Sequence, residues 1–298
     1  MIARRLLSML LCSTGAALFQ ETIAQETESD TTGVRSASIY PLPILFYTPE
    51  TGIAGGAAAL YKYRDSTASS PRPSSMTGDA IYTEKKQIVL ELNGDFYLDQ
   101  GRFRLLANTY YKNFPNSFYG IGNNVPSSSR ESYISRSYIM KVVLYRNIFS
   151  RVNLAPLIRY ESTSILGTKE AGLLASGAIP GNSGGTVSGA GVVVNWDSRD
   201  NTFSAYSGSF YQLTAIFNSR VIGSDFNYTD LDLDLRNFFE MFSSQVLALQ
   251  TGIFVTAGTV PFQNLVRFGG QDFFSGYFDG QYRDATGIGG QVKYRIPV

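Results

Sequence analysis

Apolar and polar residues alternate with a period of two along most of this chain. The cleanest run is Asp230-Leu231-Asp232-Leu233-Asp234-Leu235-Arg236. Successive side chains of a β-strand point to opposite faces, so the three leucines share one side. Asp230, Asp232, Asp234 and Arg236 share the other. A helix would scatter the same residues around its circumference. The pattern recurs, with Ile88, Leu90 and Leu92 against Gln87, Glu91, Asn93 and Asp95, and Phe103, Leu105 and Ala107 against Arg102, Arg104 and Asn108. Further on, Leu154, Ile158 and Tyr160 oppose Asn153, Arg159 and Glu161, and Val292, Tyr294 and Ile296 oppose Gln291, Lys293 and Arg295. These runs predict about twelve strands, each near the roughly 9–11 residues that a tilted strand needs to cross a bilayer. No helical period exceeds two turns, and no βαβ rhythm is visible.

The connections alternate in length. Long Gly/Ser/Pro-rich excursions at 112–130, 163–185 and 261–287 face short links at 147–150, 197–208 and 240–244. Short turns opposite long loops are the habit of outer-membrane barrels. The first strand is expected over 41–48 and the second over 53–64, joined by Pro49-Glu50-Thr51-Gly52. A soluble β-sandwich or lipocalin-like barrel is the alternative. Strand length and the several charges on each polar face, suited to a wet lumen, weigh against it. The expected fold class is therefore all-β, an antiparallel transmembrane β-barrel.

The N-terminus places that barrel behind a secretory signal. Arg4 and Arg5 precede an apolar run over 6–19, and Thr22-Ile23-Ala24 offers a small-residue cleavage site, so 1–24 reads as a signal peptide. The run is short of the roughly 20 residues a spanning helix needs. Cys12 follows Leu11, not the small residue a lipoprotein anchor prefers. Residues 25–38 are polar and acidic and read as a disordered leader, leaving 39–298 for the barrel.

Composition removes whole classes of chemistry. The chain has no histidine and one cysteine, Cys12, which leaves with the signal. Disulfides, thiolate metal sites, cysteine nucleophiles and every histidine-dependent hydrolase design are excluded. No catalytic residue, metal ligand or cofactor is assigned. A formal net charge of +1 gives no electrostatic footprint for nucleic acid.

Four stretches carry a further signal: Phe46-Tyr47-Thr48-Pro49-Glu50-Thr51-Gly52; Asn116-Ser117-Phe118-Tyr119-Gly120-Ile121-Gly122-Asn123; Asn195-Trp196-Asp197-Ser198-Arg199-Asp200-Asn201 with Gly208; and Phe268-Gly269-Gly270 leading to Gly276-Tyr277 and Gly280-Gln281-Tyr282-Arg283-Asp284. In order and spacing they resemble the BamA/TamA-like superfamily of outer-membrane barrels, the bacterial surface antigen family. The resemblance implies that the fourth stretch lies in a sixth surface loop that folds back into the barrel. In the family an Arg-Gly-Phe/Tyr tip there pairs with acids on the inner wall. This chain reads Ser275-Gly276-Tyr277, so Arg267 and Arg283 become the alternative cations, and Gly269, Gly270, Gly276, Tyr277, Arg283 and Asp284 the loop motif.

The same resemblance puts Asp197, Arg199 and Asp200 in a periplasmic turn, where turn hydrogen bonding outweighs a two-aspartate metal site. Asp230, Asp232, Asp234 and Arg236 become the lumen wall, either simply solvated or biasing a pore toward cations. Family members have sixteen strands and periplasmic POTRA domains, so this chain is expected to hold about twelve of sixteen strands, without POTRA domains and incomplete at its C-terminus. Closure of the first strand onto the twelfth is the alternative, since twelve is even and an open edge is costly in lipid. The implied function is non-enzymatic translocation or insertion of polypeptide or lipid at the outer membrane of a Gram-negative-type bacterium. The alternative is a passive, porin-like solute channel. The implied partners are outer-membrane lipids, a polypeptide or lipid substrate, and the barrel assembly machinery for the chain's own insertion.

Overall fold

The computed structural model describes residues 36–48, 51–64, 73–169, 172–202, 204–269 and 280–296. Its strands are β1 (Ser36–Thr48), β2 (Gly52–Arg64), β3 (Ser74–Thr83), β4 (Ile88–Leu98), β5 (Phe103–Phe118), β6 (Glu131–Phe149), β7 (Val152–Gly167), β8 (Gly184–Asp197), β9 (Gly208–Asn218), β10 (Tyr228–Glu240), β11 (Val246–Gly258), β12 (Val266–Phe268), β13 (Tyr282–Asp284) and β14 (Thr286–Arg295). Twelve of them form one antiparallel meander in chain order, β1 to β11 and then β14. The short β12 and β13 pair only with each other, within the connection from β11 to β14. A meander is the order an up-and-down barrel requires. β1 and β14 stand at the two ends of the order, and no ladder joins them among the described residues.

Several strands outrun the sequence expectation. β5, β6 and β7 hold 16, 19 and 16 residues. Their ladders continue past the length a bilayer needs, with Phe118 still opposite Glu131. The excursions expected at 112–130 and 163–185 therefore shrink to 119–130 and 168–183. β1 begins at Ser36, so Ser36 to Ser38, expected in the leader, are already paired with Arg64 to Lys62.

The alternation sorts cleanly into two faces. Outward-pointing Leu45, Ile53, Tyr82, Leu92, Ile158, Leu213, Phe217, Leu231 and Val292 are exposed. Inward-pointing Glu91, Lys112, Lys141, Glu161, Asp230 and Thr256 are buried. The interior also has an apolar cluster built from Val143, Ala155, Leu157, Val193 and Ile216, with Leu106 and Tyr145 against it. Beside the charged inner positions expected from the sequence, this cluster gives part of the interior an apolar lining. The unbroken apolar runs Leu154 to Ile158 and Val192 to Val194 put aliphatic groups on both faces, and Leu157 and Val193 from these runs belong to the inner cluster.

Candidate functional site: loop six, the inner wall and the β8–β9 turn

The described residues of the connection from β11 to β14, 259–269 and 280–285, pack against the inner face of the sheet. Phe262 is fully buried, edge-on to Phe118 and Tyr133 with ring centroids 5.2 and 5.4 Å away. Its amide donates to the Pro180 carbonyl at 2.9 Å, and Gln263 Nε2 donates to the Gly181 carbonyl at 2.7 Å. Asn264 Nδ2 then reaches the inner face of β7 and donates to Glu161 Oε2 at 2.9 Å. Beyond it, Phe268 of β12 packs edge-on to the inward Phe254 of β11 at 6.3 Å. Gly287 makes room, since a Cβ there would lie 2.1 Å from the Phe268 ring. Arg267 lies within electrostatic reach of the Tyr110 hydroxyl on the inner face of β5.

Arg283 fastens the returning arm. It is buried, and it donates to the carbonyls of Ser117 at 3.2 Å, Phe262 at 3.3 Å and Gly280 at 3.3 Å. Its guanidinium sits 5.8 and 5.7 Å from the ring centroids of Phe118 and Phe262, within cation–π range. Its own carbonyl accepts from the Gly122 amide at 2.7 Å, and Gly122 has φ +109°, a conformation L side chains rarely adopt. The second and fourth sequence motifs are thus brought together around one arginine. Gly269 closes β12 with φ +111°, and Asp284 is exposed and accepts from the Ala285 amide at 2.7 Å. Gly270, Ser275, Gly276 and Tyr277 lie outside the described residues.

Arg283→Ala removes charged hydrogen bonds worth about 1.5–3 kcal/mol each from a buried position. Limited proteolysis of the folded protein should then cut within 259–285 faster than in the parent. Arg283→Lys should restore little, because one ammonium cannot span three carbonyls.

The acidic ladder of β10 is internally paired. Asp230 Oδ2 receives Arg159 Nη2 at 3.2 Å and Asn218 Nδ2 at 3.1 Å. The same arginine donates to the Tyr228 hydroxyl and to Asn218 Oδ1 at 3.0 Å. Asp234 takes Arg236 as a fork at 3.0 and 2.7 Å and Gln250 Nε2 at 3.0 Å, and Gln291 of β14 donates to Gln250 at 2.7 Å. Asp232 lies on the same face, partly buried. Among the described residues no cluster of three or more Asp, Glu, His or Cys is arranged to hold a metal ion.

At the opposite end of the strands Asp197, Arg199 and Asp200 organise the turn between β8 and β9. Arg199 forks onto Asp197 at 2.9 and 2.7 Å, donates to the Thr202 carbonyl at 3.2 Å and lies 4.6 Å over the Phe210 ring. Asp200 Oδ1 accepts from the amides of Asn201 at 2.8 Å, Tyr206 at 3.0 Å and Ser207 at 3.3 Å. Desolvation pushes the Asp200 carboxyl upward, and the amides of Ser207, Tyr206 and Asn201 outweigh it and hold the group below its ordinary value of 3.8. A lowered folded value means that its contribution is fully present above that ordinary value and is lost as pH falls through the folded one. The stability gap between the parent and Asp200→Asn should accordingly be flat at neutral pH and close below about pH 4, read by thermal melts across pH.

Of loop six's anchors only Arg283 stood out in the sequence. Asn264 and Phe262 belong to no alternating run, and the role of Glu131, which accepts from the Leu173 and Leu174 amides of the β7–β8 connection, has no local signature either. The only local signal was the aromatic after Val260-Pro261.

No protein-family model matches the chain, and no curated protein matches it. Solved structures do, with 62 chains matching in fold. One is the crystal structure of BamA from Haemophilus ducreyi lacking POTRA domains 1-3, with a TM-score of 0.58 at 14% identity. The match covers 89% of this chain and 54% of that one, so this chain spans about half the length of the structure it resembles. Fold and inner wall together define an all-β, antiparallel transmembrane β-barrel. Over the matched part its fold is similar to that of the BamA barrel.

Proposed function

We propose that this chain is an outer-membrane β-barrel of the surface-antigen superfamily, acting without covalent chemistry in the insertion or translocation of polypeptide or lipid. One observation carries the membrane assignment, the reversal of the partition found in soluble proteins. Leu45 and Val292 are 80% and 69% exposed on the outer face, while Glu91 and Asp230 are 4% and 8% exposed inside. Charged residues are almost never buried unless paired, and contiguous apolar surface of this extent needs an apolar solvent. Removal of the signal after Ala24 and residence in the outer membrane of a Gram-negative-type bacterium belong to the same proposal.

The filled, capped interior favours work at the barrel wall or seam over a passive channel. Inward positions from β2 to β11, such as Ala54, Val89, Tyr110, Leu157, Thr214 and Phe254, are buried, whereas a water-filled pore leaves its lining wet. Reconstituted into planar bilayers, the protein should give low or flickering current. In vesicles it should speed insertion of an unfolded outer-membrane protein or transfer of a labelled lipid relative to empty vesicles. A steady, large single-channel current without either activity would establish the porin-like alternative.

A further inference from the structure

The link between β8 and β9 joins Asp197 to Gly208, and is longer than the β6–β7 link at 150–151 and the β10–β11 link at 241–245 at the same end. A turn hanging in water leaves its side chains wet. Ala205, in this turn, is 3% exposed. The contact that covers it comes from another part of the sheet: Arg295 Nη1 donates to Ser204 Oγ at 3.2 Å, and Nη2 donates to the Ala205 carbonyl.

Arg295 is on β14, three places from β9 in the strand order, so this contact passes over the inner ends of β10 and β11. On the way its guanidinium lies 6.0 Å from the Phe238 ring of β10. Its cross-strand partner Val246, the first residue of β11, is buried although it stands at the mouth. At the near end of the turn Arg199 is held by Asp197, Thr202 and the face of Phe210.

We infer that Ser204 to Ser207, at the β9 side of this connection, form a strap that closes the short-turn mouth of the barrel, clamped by Arg295 of β14. Asp200 ties the turn to itself through the Tyr206 and Ser207 amides, and Arg295 ties it to the far side of the mouth. Arg295 Nε is buried without a hydrogen-bond partner. A buried donor left unmet costs the closed arrangement part of what the two donated hydrogen bonds contribute. Because the clamp is part of β14, displacement of that strand withdraws it.

Single cysteines test it in the full chain with Cys12→Ser, by labelling with a charged maleimide in detergent micelles. In the parent background Ala205→Cys and Val246→Cys should react slowly and Tyr206→Cys, at an exposed strap position, rapidly. A fast Ala205→Cys overturns the strap without any change to the clamp. Adding Arg295→Ala should speed labelling of Val246→Cys at least about tenfold, the factor that about 1.4 kcal/mol of lost clamp energy represents. Val187→Cys, buried beneath the long loops, should not change. No acceleration at Val246→Cys overturns the clamp, and equal acceleration at both positions shows a loosened barrel and overturns it too.

Discussion

Replacing Asp230 by alanine will destabilise the folded protein by about 3–5 kcal/mol, because removing one member of a buried ion pair leaves the other charge uncompensated. The Arg159 and Asp230 side chains are 15% and 11% exposed, so water does little to screen them. Arg159 cannot retreat, since it is also held by Tyr228 and Asn218, and Asn218 itself leans on Asp230. Arg159→Leu in the Asp230→Ala background should recover much of the loss, because replacing both charges by apolar groups is often neutral. Urea titration of the protein in lipid vesicles, followed by fluorescence of Trp196, gives both values. Trp196 is the chain's single tryptophan and stacks on Tyr211 at 5.3 Å.

Leu233→Arg on the same strand should cost about 2–4 kcal/mol for a different reason, the burial of a cation in hydrocarbon near the bilayer midplane. Leu233 is the sixth residue of the thirteen in β10, with Leu213 of β9 and Ile253 of β11 opposite it. That apolar trio offers no counter-ion. Asp232→Asn, one residue away on the inner face, should be nearly silent, since an amide keeps the hydrogen-bonding capacity of the site. The contrast between neighbours is the diagnostic, because a soluble fold with the same strands would invert it.

The period-two pattern carried most of the fold. It placed Leu231 and Asp230 on opposite faces, separated twelve long strands and put the long loops at one end. Pairing is local in a meander, and each face has its own solvent, so alternation suffices. The interior was less legible. Val143, Leu157 and Val193 sit in runs apolar on both faces, where periodicity cannot say which side is filled. Loop six was legible as glycine-rich motifs with Arg267 and Arg283 as candidate cations, and not in the contacts these make. Its anchors, Arg283 on backbone carbonyls and Asn264 on Glu161, join residues more than a hundred positions apart and leave no local trace. The strap was invisible for the same reason, since Arg295 and Ala205 meet only through the curvature of four strands.

The outward face of the sheet is expected to lie in lipid. Nitroxide labels at 213, 232, 233 and 253, in protein reconstituted into vesicles, test this directly through collision with dissolved oxygen and with a water-soluble nickel complex. Positions 213, 233 and 253 should be open to oxygen and closed to nickel, and position 232 should be protected from oxygen. Greater nickel access at 233 than at 232 would contradict the account, because the leucines of β10 would then face water.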